Sequence, residues 1–515
     1  MLPIITLNLC YTVIGFVLMG FCNDMQRYIY PTLPIVMESV INSTLLRYNI
    51  EPCEMSISLF NSLMNGTSSV GMALSTIFIL PLADTKGRKF VCVYLCSIGG
   101  FLISVFHLIC AFFESAESFL MSELLLGASM AVRSFTFIIF VSESSPDKYR
   151  GSSTFALMVG NPLASMFMFS IASPQFLGKM DTWFIFPTIT LVLSIVCFCI
   201  LIKVHESPKW LVRQNKMKEA ELAVEFYHGK SNEDVIDSMV REKNITESSK
   251  LSLTQIVNDE TLRESLFIVS LVNVLVWLCP NTIESTYVQQ LHADVGFTVE
   301  QTLNISLFFS IIFIPGQFLG TLLIDKIGRR KMVFILGFSM IVKTCISITT
   351  LTISNVIGTS IFTKVAMIFS DTLTNFERCM GLNSLATLLI SELFPISART
   401  AVGQLASFFG VFAMLPLSTL FPIFYSIFTP AFYVPFLFIQ PVILYFLFEK
   451  LPETKQRAVC DIIESMCITV ASRRTTIISE KTPLIRKRAI TLLASSRDDS
   501  HKERKRSKTM IYNNV

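Results

Sequence analysis

Repeated apolar runs dominate this sequence. Each spans roughly 20 residues, enough to cross about 30 Å of hydrocarbon as a helix. Because lipid offers no partner for backbone N–H and C=O groups, such runs are helical, whereas a β-barrel needs short alternating segments. Only 16% of the 515 residues are charged, compared with about 25% in soluble chains. We therefore predict an all-α membrane protein.

The runs predict twelve transmembrane helices in two groups of six. The first group covers 4–22, 57–82, 90–113, 119–142, 153–173 and 182–203, and the second covers 265–289, 302–324, 332–353, 360–390, 401–425 and 429–449. We expect four parts: an N-terminal six-helix bundle over 1–203, a cytoplasmic linker over 204–263, a C-terminal six-helix bundle over 264–452 and a disordered cytoplasmic tail over 453–515.

Lysine and arginine are concentrated in the connections after the even-numbered helices, whereas residues 292–301 and 353–360 contain none. By the positive-inside rule, the basic side is cytoplasmic and an even number of helices places both termini there. We expect a plasma-membrane or an endosomal or lysosomal location. Asn42 begins an Asn-Ser-Thr sequence in the predicted outer loop, so it is a candidate glycosylation site.

The sequence lacks the patterns of several functional classes. No metal-ligand spacing, phosphate-binding loop or nucleophile–base pattern occurs, so we predict no metal, no cofactor and no enzymatic activity. Basic clusters outside the loops are confined to the tail, and we predict no nucleic-acid partner. The expected partners are a small-molecule solute and the lipid bilayer.

Two basic connections repeat one motif. Asp84–Arg88 (DTKGR) follows the second helix, and Asp325–Arg329 (DKIGR) follows the eighth, its counterpart in the second group. Glycine permits a tight turn between close helices, and the Asp and Arg side chains can pair across it. Recurrence at matched positions indicates an internal structural repeat.

Further motifs occur in order along the chain. They are Glu143 and Arg150 after helix four, Glu206 in ESPKWL after helix six, Glu392 (in SELFP) and Arg399 after helix ten, and PETK at 452–455 after helix twelve. With these motifs, spread over residues 80–455, the chain resembles the sugar-porter branch of the major facilitator superfamily, which includes the facilitative glucose transporters.

The resemblance implies a transporter that moves a small, sugar-like organic solute by alternating access, with two bundles rocking about a central site. It also implies a gating network of cytoplasmic charges that joins the bundles when the inside is closed. That network comprises Asp84, Arg88, Glu143, Arg150, Glu206, Asp325, Arg329, Glu392 and Arg399.

The sugar-contact motifs of that family differ here. Val276–Thr282 lacks the family's Gln pair, and Thr387 stands where the family has a tryptophan. Two alternatives therefore stay open beside the sugar-like solute. One is an organic-ion transporter of the same superfamily, and the other is a non-transporting sensor that binds solute.

Charged residues fall inside the predicted helices, where each costs about 2.5–3.5 kcal/mol at mid-bilayer. Asp371, Asn375 and Arg378 share one helical face. One hypothesis is that Asp371, Glu377 and Arg378 bind a charged solute or couple protons. The other is that Glu377 and Arg378 neutralise each other and that Lys343 extends to the interface. The candidate substrate-path residues are Asn61, Asn65, Asn161, Asn281, Glu284, Asp371, Asn375, Glu377, Arg378 and Asn383.

The tail contains one short candidate signal. Glu480 is followed four residues later by Leu484 and Ile485, which fits the acidic dileucine pattern. This pattern resembles endosomal and lysosomal sorting signals that adaptor complexes recognise. The alternative is a chance match.

Overall fold

A computed structural model of the chain describes residues 7–454 except 53, 147–152, 155, 158–159, 174, 230–234, 238, 241–252, 278 and 395. Beyond residue 454 it describes Ile462 and Ser465. No β-strand occurs within these ranges. The candidate sorting signal in the tail and the predicted gating residue Arg150 lie outside them.

The first six long helices are labelled α1 to α6. They are α1 (Leu7–Thr32), α2 (Glu54–Leu74, the π-helical turn Ser75–Ile79 and Leu80–Thr85), α3 (Phe90–Phe113), α4 (Ala116–Ser144), α5 (described over Gly160–Ile171) and α6 (Ile185–Leu201). The following segment contains three short helices, Pro208–Arg213, Met217–His228 and Leu253–Asn258.

The second six are labelled α7 to α12. They are α7 (Glu260–Trp277, Asn281–Thr286 and Val288–Asp294), α8 (Val299–Ile327), α9 (Arg329–Ile357), α10 (Ile361–Cys379 and Leu382–Leu393), α11 (Ile396–Ile427) and α12 (the 3₁₀ turn Thr429–Phe432 and Val434–Lys450).

Not every helix reads as a membrane span by length and composition. Within the described residues, six do: Leu7–Thr32, Leu59–Thr85, Phe90–Phe113, Ala116–Ser144, Arg329–Ile357 and Thr429–Lys450. Ile185–Leu201 and Val299–Phe313 are apolar but shorter. The helices α5, α7, α10 and α11 fall outside both groups, and of these α7 and α10 are interrupted and carry charge.

The predicted end of the first helix, residue 22, is wrong. α1 continues to Thr32, and Asn23, Asp24 and Gln26 are buried within it. These polar residues resemble the start of a loop in sequence, but they face neighbouring helices instead of solvent. The next segment, Pro34–Arg47, is also helical, so Asn42 lies in a short helix of the connection between α1 and α2.

Both α7 and α10 are interrupted where we predicted continuous helices over 265–289 and 360–390. In α7, the helix that ends at Trp277 resumes only after Pro280, which has no N–H and cannot continue the hydrogen-bond ladder. In α10, Gly381 has a φ of 76°, in the left-handed region that favours glycine. Each break leaves backbone groups available to ligands at mid-helix.

The buried apolar residues form four clusters, and none mixes residues from the two groups of helices. Two clusters lie within residues 9–239 and two within residues 256–462. Each group of six helices, with its adjoining connections, therefore has its own core. We call these groups the N-half and the C-half.

Polar contacts join the two halves. Among the described residues, hydrogen bonds between halves run from Gln175 Nε2 to Glu300 Oε1 (3.0 Å) and between the hydroxyls of Ser165 and Ser310 (3.3 Å). Glu300 lies next to the start of α8, at the end remote from the basic connections. The contact between Gln175 and Glu300 thus lies at the end of α8 remote from the basic side.

Helices α2 and α4 touch backbone to backbone. A Cβ placed on Gly127 would lie 1.8 Å from the main-chain oxygen of Ser68, and one on Gly71 would lie 1.9 Å from that of Leu124. Small residues at such crossings let membrane helices approach closely, which supplies van der Waals packing in place of the hydrophobic effect.

We expect Gly127→Ala to force α2 and α4 apart and to lower both the yield of monodisperse protein and its apparent Tm. The matched control is Gly99→Ala in α3, where an added Cβ meets no atom within 4 Å. Because alanine favours helix by up to about 1 kcal/mol over glycine, the control should be neutral or stabilising. Equal behaviour of the two variants in thermal melts of purified protein would contradict this packing.

Candidate functional site

A polar network crosses the basic ends of α2, α4 and α6. The Arg88 guanidinium contacts two carboxylates, Asp84 at 2.9 Å and Glu143 at 3.1 Å. Glu143 also accepts a hydrogen bond from the Ser207 hydroxyl at 2.6 Å. We call the set Asp84, Arg88, Glu143, Glu206 and Ser207 the first junction.

Glu206 completes the first junction by binding backbone. Its carboxylate accepts the N–H groups of Lys89 (2.9 Å) and Ser207 (2.8 Å). A Cβ on Gly87, whose φ is 109°, would lie 2.3 Å from Glu206 Oε2, so only glycine fits this turn. Burial raises the pKa of Glu206, while the Ser207 and Lys89 N–H groups oppose the shift.

The C-half repeats this arrangement at the basic ends of α8, α10 and α12. Arg329 contacts Glu392 at 2.9 Å, and Glu392 accepts the Thr454 hydroxyl at 2.5 Å. Glu453 accepts the Arg329 N–H at 3.0 Å and lies against Gly328, whose φ is 101°. The set Gly328, Arg329, Glu392, Glu453 and Thr454 is the second junction. Arg329, Glu392, Glu453 and Thr454 correspond in order to Arg88, Glu143, Glu206 and Ser207, with threonine replacing serine.

The predicted gating residues therefore pair within each half in this structure. Glu453, Ser207 and Thr454 were not predicted as members, although Glu453 follows helix twelve as Glu206 follows helix six. Asp325 and Arg399 lie in described helices, but their side chains are not described. A network that joins the halves in another state stays a prediction.

A buried charged cluster lies at mid-depth in the C-half, beside the break in α7. The ammonium group of Lys343 on α9 contacts Glu284 and the side-chain oxygen of Asn281, both on α7. The Lys343 side chain is 1% exposed and that of Glu284 is 13% exposed. One buried cation thus holds the α7 segment Asn281–Thr286 against α9.

Glu377 on α10 belongs to the same cluster. Its two oxygens accept hydrogen bonds from Asn281 Nδ2 at 2.6 Å and from Ser339 Oγ at 2.9 Å. Because both oxygens act as acceptors, the arrangement fits an ionised carboxylate. We call Asn281, Glu284, Ser339, Lys343 and Glu377 the central cluster.

The neutralisation hypothesis is wrong. Glu377 points toward α9 and α7, while Arg378 is exposed and its Nη2 donates to the main-chain oxygen of Asn281 at 3.3 Å. Lys343 does not extend to the interface, because Glu284 holds it inside. Adjacent residues on a helix point in different directions, so Glu377 and Arg378 have separate partners.

The α10 face that carries Asp371, Asn375 and Arg378 makes a second polar contact with α7. The Asp371 carboxylate lies 2.8 Å from Nε2 of the fully buried His292. Asn375 donates to the main-chain oxygen of Asp371 at 2.9 Å. His292 was not predicted, since a lone histidine in an apolar run carries no pattern. This pair is separate from the central cluster.

The N-half contains its own buried ion pair at mid-depth. Arg133 on α4 contacts Asp24 on α1 at 2.5 Å and also donates to the main-chain oxygen of Gly20 at 3.1 Å. Arg133 begins the π-helical turn Arg133–Phe137, a distortion often found at functional sites. Asp24 was missed because we ended the first helix before it.

The charged groups of the two halves occupy matched helices. Asp24 and Arg133 lie on α1 and α4, the first and fourth helices of the N-half, and the central cluster draws on α7 and α10, the first and fourth of the C-half. Both groups are at mid-depth. The internal repeat therefore places charge on the same two helices of each half.

Two other predicted substrate-path residues contact tyrosines of α1. The hydroxyl of Tyr30 donates to Asn61 at 2.9 Å, and that of Tyr28 donates to Asn161 at 3.4 Å. The Tyr30 ring also meets the Tyr287 ring of α7, with centroids 6.4 Å apart. The side chains of the predicted residues Asn65 and Asn383 are not described.

Within the described ranges, no group of three or more His, Cys, Asp and Glu residues is arranged to hold a metal ion. The polar groups at mid-depth are instead arranged for hydrogen bonding and for charge pairing. Such groups suit a polar organic solute or a proton.

Known proteins resemble the chain in sequence and structure. The family model described as "Sugar (and other) transporter" matches residues 34–465. Sugar transporter ERD6-like 12 of Arabidopsis thaliana is 23% identical over 410 residues, covering 75% of this chain and 82% of that protein. The Arabinose-proton symporter of Bacillus subtilis (strain 168) is 22% identical over 467 residues, covering 87% and 94%.

One solved structure has the same arrangement of helices. It is the partially occluded inward open conformation of the xylose transporter XylE from E. coli, with a TM-score of 0.66 and 15% identity. The match covers 88% of this chain and 100% of that one. This likeness confirms the predicted all-α fold of two six-helix bundles.

Proposed function

Because this chain belongs to the sugar (and other) transporter family, we propose that it moves a small, sugar-like solute across a membrane by alternating access. The family that its loop motifs predicted is thereby confirmed. Both relatives named above are sugar transporters by name, which does not favour an organic-ion carrier, a non-transporting sensor or an enzyme.

The observation that carries the proposal is the pair of breaks in α7 and α10. They lie next to the central cluster, and α7 touches α1 of the other half through Tyr287 and Tyr30. Transporters of this kind bind solute near the midplane, at the interface of structural repeats, where discontinuous helices offer free backbone groups.

We further propose that the basic side is cytoplasmic, with both termini there, and that this structure represents an inward-facing state. The lysine and arginine distribution supports the orientation. The contact between Gln175 and Glu300 supports the state, because it joins the halves at the end of α8 remote from the basic connections. In the cycle, residues 1–203 and 264–452 rock as two bodies connected by 204–263.

Proton coupling is the second part of the proposal. A carboxylate buried against an arginine, as Asp24 is against Arg133, can exchange a proton when the pair opens. One relative is named as a proton symporter. The glycosylation of Asn42, the sorting signal, its adaptor complexes and the choice between plasma and endosomal or lysosomal membranes stay predictions.

The test is counterflow in liposomes containing the purified protein. Vesicles loaded with unlabelled D-glucose, D-xylose or D-arabinose are diluted into a trace of the labelled sugar. A carrier concentrates the label transiently, and a protein-free vesicle does not. Bound solute should also raise stability, by about 2.7 kcal/mol at a hundredfold excess over Kd. Thermal stabilisation without counterflow would favour a sensor and refute a carrier.

A further inference from the structure

Arg378 lies at mid-depth in the membrane. It follows Ile361, the first residue of α10, by 17 residues, which is about 26 Å along a helix at 1.5 Å per residue. Leu393 ends the second part of α10 15 residues later, about 22 Å further. An arginine this far from both ends has no route to the interface.

Arg378 lies beside α7, the helix that contacts the other half. Arg378 donates to the main-chain oxygen of Asn281 on α7, and Asp371 on the same face of α10 binds His292, also on α7. α7 is the helix whose Tyr287 ring meets Tyr30 of the N-half. Because intramembrane arginines face a bundle interior or a water-filled cavity, and not lipid, this placement puts the guanidinium in the solute path.

No carboxylate within ion-pair distance neutralises Arg378 in the described part of the chain. Glu284 pairs with Lys343, and Glu377 is bound by Asn281 and Ser339. Asp371 lies two helical turns away and pairs with His292. Among the groups that the structure describes, one of the five guanidinium N–H groups has an acceptor, a neutral carbonyl oxygen.

We infer that the solute of this carrier bears an anionic oxygen group, carboxylate or phosphate, and that Arg378 binds it at the α7 break. This inference rests on the proposed function and narrows its substrate class to acidic sugar-like molecules. Guanidinium presents a planar fork that matches both groups with two parallel hydrogen bonds. The hydroxyls of such a solute meet the amide and carbonyl groups of the interrupted α7.

The experiment measures competition in the counterflow assay and thermal stabilisation of the purified protein. The anionic probes are D-glucuronate, D-gluconate and D-glucose 6-phosphate, and the neutral probes are D-glucose, D-xylose and D-arabinose. We expect at least one anionic probe to compete and to stabilise the protein. Competition by the sugar acids or by the phosphate identifies which anionic group is used.

Arg378→Gln should weaken binding of the anionic probe about 10- to 100-fold, which corresponds to the loss of a hydrogen bond to a charged group. Binding of the neutral probes should not change. Arg378→Lys should lie between, because it keeps the charge and loses the fork. If Arg378→Gln fails to fold, Arg378→Lys still provides the measurement. The matched control is Lys364→Gln near the outer end of α10, which should leave both probe classes unaffected.

Two results would overturn the inference. One is counterflow of neutral sugars with which no anionic probe competes, and this leaves the proposed function intact. The other is an equal loss of neutral and anionic binding in Arg378→Gln, which assigns the residue a structural role. Absence of binding and flux for every probe would refute the proposed function together with the inference.

Discussion

Replacing Lys343 with methionine should lower the free energy of unfolding by about 3–5 kcal/mol, the largest stability loss expected in this protein. The change leaves the Glu284 carboxylate without its cation. It also removes a donor to Asn281, which in turn positions Glu377. Several side chains would then lose partners in a medium that offers no replacement.

The double variant Lys343→Met/Glu284→Gln should recover much of that loss, because removing both charges of a buried pair costs far less than removing one. Apparent Tm values of purified protein compare the single and double variants. Lys364→Met is the control, since Lys364 forms no ion pair among the described residues and lies over the Phe297 ring. A double variant less stable than Lys343→Met would show that the pair does not carry the effect.

Asp24→Asn should abolish proton-driven accumulation and preserve exchange of solute. A carboxamide can still accept a hydrogen bond from Arg133, but it cannot take up and release a proton at each turnover. In vesicles with an imposed pH gradient, one coupled proton supports about tenfold accumulation per pH unit. The wild-type protein should approach this ratio, and Asp24→Asn should equilibrate its solute without accumulation.

The matched control is Asp181→Asn, which changes an exposed carboxylate between α5 and α6. It should accumulate solute as the wild type does. Counterflow without a pH gradient should proceed in both variants. Uphill accumulation by Asp24→Asn would move the coupling site elsewhere, and a wild type that never accumulates solute would identify a uniporter.

Hydropathy predicted the helix bounds correctly where the helix ends at a charged connection. The predicted helix over 90–113 has the bounds of Phe90–Phe113 in the structure, since basic residues precede it and Glu114 follows it. It failed for α1, where polar residues continue the helix because Asn23, Asp24 and Gln26 point into the N-half. Composition does not distinguish a polar helical face that is buried from the start of a loop.

The breaks in α7 and α10 were missed for a similar reason. The residues before the break in α7, Leu275–Cys279, are apolar, so the run reads as uninterrupted. Pro280 and Gly381 were visible, but each is tolerated inside some membrane helices. A break is decided by whether neighbouring helices satisfy the freed backbone groups, which is a property of tertiary structure.

The candidate site was also predicted in part. The predicted residues Asn281, Glu284 and Glu377 are brought together, yet their partners could not be assigned, because Asn281 and Glu377 are 96 positions apart. The repeat of the loop motifs predicted the two junctions in outline. Comparing the segments after helices six and twelve would also have found Glu453.

The two junctions and the two helix breaks have opposite effects on the rigidity of each half. Each junction links the basic ends of three helices. We therefore expect these three helices to move together when one of their loops moves. In the described part of the chain, α7 and α10 are interrupted, whereas α1 and α4 are continuous. We therefore expect the C-half to bend more than the N-half as the carrier changes state.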